Sequence, residues 1–119
     1  MFNLSYETVD VPGCTKTRDI KDENGNVLHK VCDDTRGVMS EVVGYLRDTR
    51  VMFKHRPDPL SQATQLAMKV FINASYGVFG ADTFPLYSRP MAESVTAVGR
   101  HVITKTHDHV ESLGCRVLY

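Results

Sequence analysis

Lys69 and Asn73 stand four residues apart, and Tyr76-Gly77 follow about one turn later. On a helix this spacing gathers an ammonium, an amide and a phenol on roughly one face. Upstream, Arg50 and Lys54 repeat the four-residue spacing, and Arg47 extends their line. If both segments are helical and joined by a short connection, they fold back as an antiparallel hairpin. That fold can lay the two polar faces side by side, with three cations and an amide aimed at one place. A triphosphate asks for this combination: several donors in fixed geometry with little competing negative charge. A solvated, basic helix face is the commoner meaning of such a run, and spacing alone does not separate the two.

Other chemistry-bearing residues are less organised. Cys14, Cys32 and Cys115 are too few and too scattered for a secreted disulfide scaffold. His29 and Cys32 have metal-ligand spacing, but no second close pair completes a zinc site, so no metal ligand is assigned. His101, His107 and His109 occupy one helical stretch, and residues two apart do not share a face, so they read as surface histidines.

The elements that must position these residues follow from pattern and punctuation. Residues 1–36 look extended, with strands expected over residues 14–20 and Val27–Cys32 around the Asn24-Gly25 turn. Asp33, Asp34 and Thr35 are cap candidates for a first helix over residues 37–54, with Met39, Val42, Val43, Leu46 and Phe53 on its apolar side. His55-Arg56-Pro57-Asp58-Pro59 must break it, because each proline removes a donor and restricts the residue before it. A second helix is expected over residues 60–76, packing closely through Ala63, Ala67, Val70 and Ala74, with a bend or close approach at Gly77 and Gly80. Pro90 opens a third helix over residues 91–113, buried along Val95, Gly99, Val102, Thr106 and Val110 and ended by Gly114. Residues 115–119 alternate like a strand.

The chain has 119 residues, enough for a single small domain. Fourteen basic and fourteen acidic residues cancel, so net charge does not announce a nucleic-acid binder. Between Tyr45 and Arg56, however, four cations face one acid, Asp48. No apolar run approaches a membrane span and no signal-like segment follows Met1, which places the protein in the cytoplasm without a membrane partner.

Lys69-Val70-Phe71-Ile72-Asn73-Ala74-Ser75-Tyr76-Gly77 closely resembles the fingers motif of family B DNA polymerases: a lysine, three residues, asparagine, serine, any residue, tyrosine, glycine. The departure is Ala74, where the family usually has serine, which weakens any role for a hydroxyl there. Arg50 and Lys54 resemble the arginine and lysine of the family's preceding fingers helix. Residues 92–100 resemble its following palm helix, especially in archaeal members. Asn3-Leu4-Ser5 and Gly13-Cys14 resemble the stretch after its first catalytic aspartate motif, and residues 116–119 the strand entering its second. The resemblance spans nearly the whole chain, in order.

It implies an α+β fold: an antiparallel two-helix fingers hairpin (37–77) flanked by palm elements, namely a β-hairpin (1–36) and a long helix with an edge strand (78–119). The domain would be incomplete. The function implied is that of a segment of a DNA-directed DNA polymerase, a nucleotidyltransferase of DNA replication. Arg50, Lys54, Lys69 and Asn73 would grip the incoming deoxynucleoside triphosphate, Lys69 would also assist the departing pyrophosphate, and Tyr76 and Gly77 would lie beside the nascent base pair. The partners implied are primer-template DNA and the remaining polymerase segments: exonuclease, catalytic palm motifs and thumb. Mg2+ is the cofactor implied, with its aspartates in flanking segments, so the isolated chain should be inactive. The alternative is a non-catalytic helical remnant that binds nucleic acid or a partner. In heat-adapted archaeal relatives a pair resembling Cys14 and Cys32 forms a disulfide, whereas a reducing cytosol favours free thiols; in either case the two Cα atoms are expected within about 7 Å, the reach of a disulfide.

Overall fold

The structure, a computed structural model, describes residues 2–118. Strand β1 (Thr17–Lys21) pairs antiparallel with β2 (Val27–Cys32), with Thr17 opposite Cys32 and Ile20 opposite His29. Asp22 organises the connection, its Oδ1 accepting from the amides of Asn24 at 2.9 Å and Asn26 at 2.8 Å. Gly25 has φ +84°, a conformation that costs glycine nothing and other residues clash energy. β1 begins three residues later than the alternation suggests. The Asp34 carboxylate takes the amides of Thr15 and Lys16, which diverts that stretch from the ladder.

Three helices follow: α1 (Val38–Lys54), α2 (Pro59–Gly80) and α3 (Arg89–Ser112). The turn between α1 and α2 is stapled by Gln62, whose Nε2 donates to the carbonyl of Arg56 at 2.5 Å. Asp58 caps α2 by accepting from the Ser61 amide at 2.8 Å, with Pro59 in the first turn. Ser88 caps α3, Pro90 opens it and Gly114, at φ +79°, follows its end. The proline and glycine punctuation therefore sets the limits of the second and third helices.

The interior departs from the expected pattern. The α2 face expected to pack, Ala63, Ala67, Val70 and Ala74, is exposed. Buried or half-buried instead are Ser61, Met68, Ile72, Ser75 and Phe79, facing α1 where Ser40 and Gly44 are buried. The small residues that permit close approach are thus Ser40 and Gly44 of α1 with Ser61 and Ser75 of α2, not the α2 alanines. α2 also runs straight through Gly77 to Gly80 without a break. On α3 the buried positions are Met91, Ser94 and Ala97; of the expected stripe Val95 and Val110 are half-buried, while Gly99, Val102 and Thr106 are exposed. Residues 115–118 form no ladder, since no strand lies beside them to pair with their N–H and C=O groups; Tyr119, the end of that expected strand, lies outside the described residues.

Val9, Ile20, Val31, Phe79, Met91 and Ala97 make one core cluster, with Leu4, Met39, Ala92 and Val98 packed on it. It joins the β-hairpin, the N-terminal segment, the end of α2 and the start of α3. The far end of the α1–α2 pair projects from it. The radius of gyration is accordingly 16.8 Å, against about 13.5 Å for a compact chain of this length.

Candidate nucleotide-binding site

Cys14 and Cys32 are disulfide-bonded with Cα atoms 5.8 Å apart, so the expectation of free thiols gives way while the expected proximity holds. The bond ties the stretch before β1 to the end of β2 and closes the base of the hairpin. Asp34 is the third member of this group, close enough to share a metal with the two sulfurs. Its oxygens are already taken by Thr15 and Lys16, and sulfurs bonded to each other are not thiolates. Among the described residues no other such group exists. Magnesium requires carboxylates, carbonyls and waters in octahedral array, and this set does not fit it.

The register of α1 on α2 sets the geometry of the basic residues. At one end Gln62 reaches the Lys54–Arg56 turn; at the other, Met39, Ser40 and Val43 share a cavity of about 240 Å³ with Ile72, Ser75, Tyr76 and Phe79. The helices are therefore antiparallel. Arg50 falls near the level of Leu66, within about one helical turn, about 5 Å, of Lys69. On α2 the buried line runs through Met68, Ile72 and Ser75, and Lys69, Asn73 and Tyr76 each come one residue later. One residue is about 100° of rotation, so these three flank the interhelical face. Lys54, Lys69 and Asn73 are exposed, while Arg50 is half-buried with an Nε shielded from solvent and without a hydrogen-bond partner. Gly77 lies within the helix, with open space where a Cβ would stand.

Among the described residues no ion pair neutralises Arg50, Lys54 or Lys69, whereas Arg47 is taken by Asp48 at 2.7 Å. Nor does any hydrogen bond link Arg50, Lys54, Lys69 and Asn73 to one another. Arg50 and Lys69 are thus uncommitted donors about a turn apart along the pair, while Lys54, level with Gln62, and Asn73 lie a further turn away in opposite directions, about 16 Å from each other along the axes.

Two constellations are not visible in the sequence pattern. His29, buried and facing α3, has Nδ1 2.6 Å from Asp10 Oδ2 and Nε2 3.0 Å from Glu93 Oε2; Glu93 is also held by Arg89 at 2.6 Å. Arg89 first, then His29, holds the Glu93 carboxyl below its ordinary range. The second is a set of N-terminal side chains on the start of α1. Asn3 Oδ1 accepts from the Gly37 amide at 2.7 Å, Glu7 Oε1 from Val38 at 2.5 Å and Ser5 Oγ from Met39 at 3.1 Å. The expected caps Asp33, Asp34 and Thr35 do not serve; Gly37 is the N-cap and has no side chain to offer. Partners some thirty residues distant leave no local signal.

A β-hairpin and a long helix carrying a projecting pair of helices with free cations and an amide on its flank is an α+β arrangement. The chain belongs to DNA polymerase family B, whose model matches residues 1–118. It is 52% identical to DNA polymerase 1 of Saccharolobus solfataricus and 48% identical to DNA polymerase 1 of Sulfurisphaera ohwakuensis, in each case over 99% of this chain. It spans 14% and 15% of the length of those two relatives. The family B DNA polymerase from the hyperthermophilic archaeon Pyrobaculum calidifontis has a similar structure, with a TM-score of 0.65 and 29% identity over 99% of this chain and 17% of that one. No helix among the described residues is long and apolar enough to cross a membrane.

Proposed function

We propose that this chain grips the incoming deoxynucleoside triphosphate within a DNA-directed DNA polymerase of DNA replication. In this reading residues 37–77 are fingers, and residues 1–36 and 78–119 belong to the palm. The observation that carries it is the set of uncommitted donors: Arg50 and Lys69 within about a turn of each other along the helix axes, Lys54 and Asn73 a turn beyond them on either side, and, among the described residues, no acid paired with the cations. Arg50 and Lys54 clamp phosphate oxygens, the guanidinium in bidentate fashion. Asn73 adds a neutral donor. Lys69 supplies positive charge, or a proton, where charge grows on the departing pyrophosphate. Tyr76 and Gly77 lie beside the nascent base pair, and primer-template DNA and the remaining polymerase segments are the partners. Magnesium would be held by residues other than those described here.

Incorporation kinetics by the assembled polymerase test the assignment. Lys69→Ala should chiefly slow single-turnover incorporation, on the order of a hundredfold, as loss of a transition-state interaction does. Arg50→Ala should chiefly raise the nucleotide concentration needed for half-maximal rate, by about tenfold or more. Both variants incorporating nucleotide like the parent would sink the grip. The chain alone should extend no primer; extension by it in magnesium would show that its own carboxylates hold the metal.

A further inference from the structure

The N-cap amide and the first two amides of α1 have no partner within the helix, and at an exposed terminus water would take them. Here each is taken by a side chain from residues 3–8: Gly37 by Asn3, Val38 by Glu7 and Met39 by Ser5. The contact is returned, since Ser40 Oγ donates to the Leu4 carbonyl at 2.9 Å. The segment is itself braced. Ser5 and Thr8 are fully buried, the Ser5 amide donates to Thr8 Oγ1 at 2.9 Å, and Ser5 Oγ donates to Glu7 Oε2 at 2.5 Å. Asn3 Nδ2 reaches the carbonyls of Cys32 and Thr35, which locks the segment to the end of β2 as well.

Gly37 shows how closely the parts fit. Its φ of −74° and ψ of 135° are open to any residue. Space is what requires glycine: a Cβ there would stand 2.3 Å from Ser5 Cβ, an atom no rotamer can move. From this we infer that residues 3–8 are the mount that sets the direction of α1, making Asn3, Ser5 and Glu7 positioning residues for Arg50 and Lys54. The role of those two cations rests on the nucleotide grip proposed above; the mount does not. Arg50 lies about 20 Å up the helix from Gly37, so a tilt of about 5° at the base displaces it by about 2 Å. Misplacement of about 1 Å is already enough to matter for a group that must meet a reacting substrate.

Residual dipolar couplings on the whole chain report the direction of α1 relative to α3 and the β-hairpin. Gly37→Ala drives a methyl against Ser5 and should turn α1 while couplings within the β-hairpin keep their parent pattern. Glu7→Ala, an exposed position that leaves the core intact, should speed hydrogen exchange at the Val38 amide and broaden the distribution of α1 directions. Glu7→Gln keeps an acceptor and should restore both. An unchanged α1 direction in a folded Glu7→Ala variant, with Val38 exchange also unchanged, overturns the mount whether or not Gly37→Ala folds. Titration with dATP separates the two readings. If α1 turns and dATP affinity falls by about tenfold, both stand. If Arg50→Ala and Lys54→Ala leave the dATP affinity of the assembled polymerase unchanged but α1 still turns, the mount stands and the grip fails. If the parent binds dATP and affinity is indifferent to a turned α1, Asn3, Ser5 and Glu7 do not position Arg50 and Lys54.

Discussion

At the scale of single residues, the chemistry-bearing side chains divide into those the protein satisfies and those it leaves free. His29 is the most fully satisfied. Both ring nitrogens meet carboxylate oxygens, one on the Asp10 turn and one on α3. His29→Ala should cost about 1 to 3 kcal/mol, because a buried imidazole and its contacts to two carboxylates are lost. Arg89 still holds Glu93, so most of the loss belongs to Asp10 and to the freed space. The double variant His29→Ala/Glu93→Gln should then be less destabilised than the two single losses combined, as expected for neighbours that share a network. Urea denaturation of the four proteins checks this; strict additivity would mean that the histidine does not bridge the turn to α3. Arg50, Lys54 and Lys69 are the opposite case, cations with no acid beside them, and a protein seldom half-buries an arginine without giving it something to hold.

At the scale of elements, what was legible followed from local chemistry. Pro59, Pro90 and Gly114 mark helix ends in the sequence because they act on their own backbone. The strand pair around Asn24-Gly25 and the spacing of Lys69 and Asn73 were legible for the same reason. What failed depended on a neighbour. Both sides of α2 carry apolar residues, and only the position of α1 decides that Met68 and Ile72 face inward while Val70 does not. Residues 115–118 have strand character but nothing to pair with. The caps of α1 come from Asn3, Ser5 and Glu7, and nothing in the residues just before the helix points to them. Arg50 and Lys69 were legible as types on helices, but their common level needed the register. The disulfide lies between these extremes, since two cysteines bracketing a hairpin show that they can meet but not their redox state. With a sequence separation of 18 between its ends, it should contribute about 3 kcal/mol by restricting the unfolded chain. Reductant should therefore lower the melting temperature of the parent and leave a Cys14→Ser/Cys32→Ser variant unmoved. Equal melting curves for the parent with and without reductant would mean that the bond adds no stability.

At the scale of the whole molecule, the small core is supplemented by carboxylates that fasten one element to another. Glu7 joins the N-terminal segment to α1, and its pKa is lowered by the Ser5 hydroxyl first and the Val38 amide next. Asp22 holds the hairpin turn and is lowered chiefly by the Asn26 amide. Asp34 holds the stretch before β1, lowered chiefly by the Thr15 amide and hydroxyl. Asp58 caps α2, lowered by Ser61, and Glu93 is lowered by Arg89 and then His29. All five shifts have one sign. A carboxyl whose pKa is depressed on folding stabilises the fold at any pH above its unfolded value, about 4, and loses that contribution as pH falls through the lower, folded value. These fastenings should therefore be intact at pH 6 and should fail together below about pH 4. Protonation acts a second time through net charge. The 14 acidic residues that balance 14 Lys and Arg are neutralised, so the folded chain, left with its positive charge, repels itself. Salt screens that repulsion but cannot restore the charge that strengthens the hydrogen bonds from the Val38 and Ser61 amides. The urea midpoint should thus be nearly flat from pH 7 to 5 and fall steeply below 4, with added salt recovering only part of the loss. Glu7→Gln and Asp58→Asn, whose side chains no longer titrate, should each start lower at pH 6 and lose less on acidification. A midpoint that held constant or rose between pH 5 and 3, or a parent and Glu7→Gln pair with parallel acid profiles, would show that these carboxylates do not fasten the elements they touch.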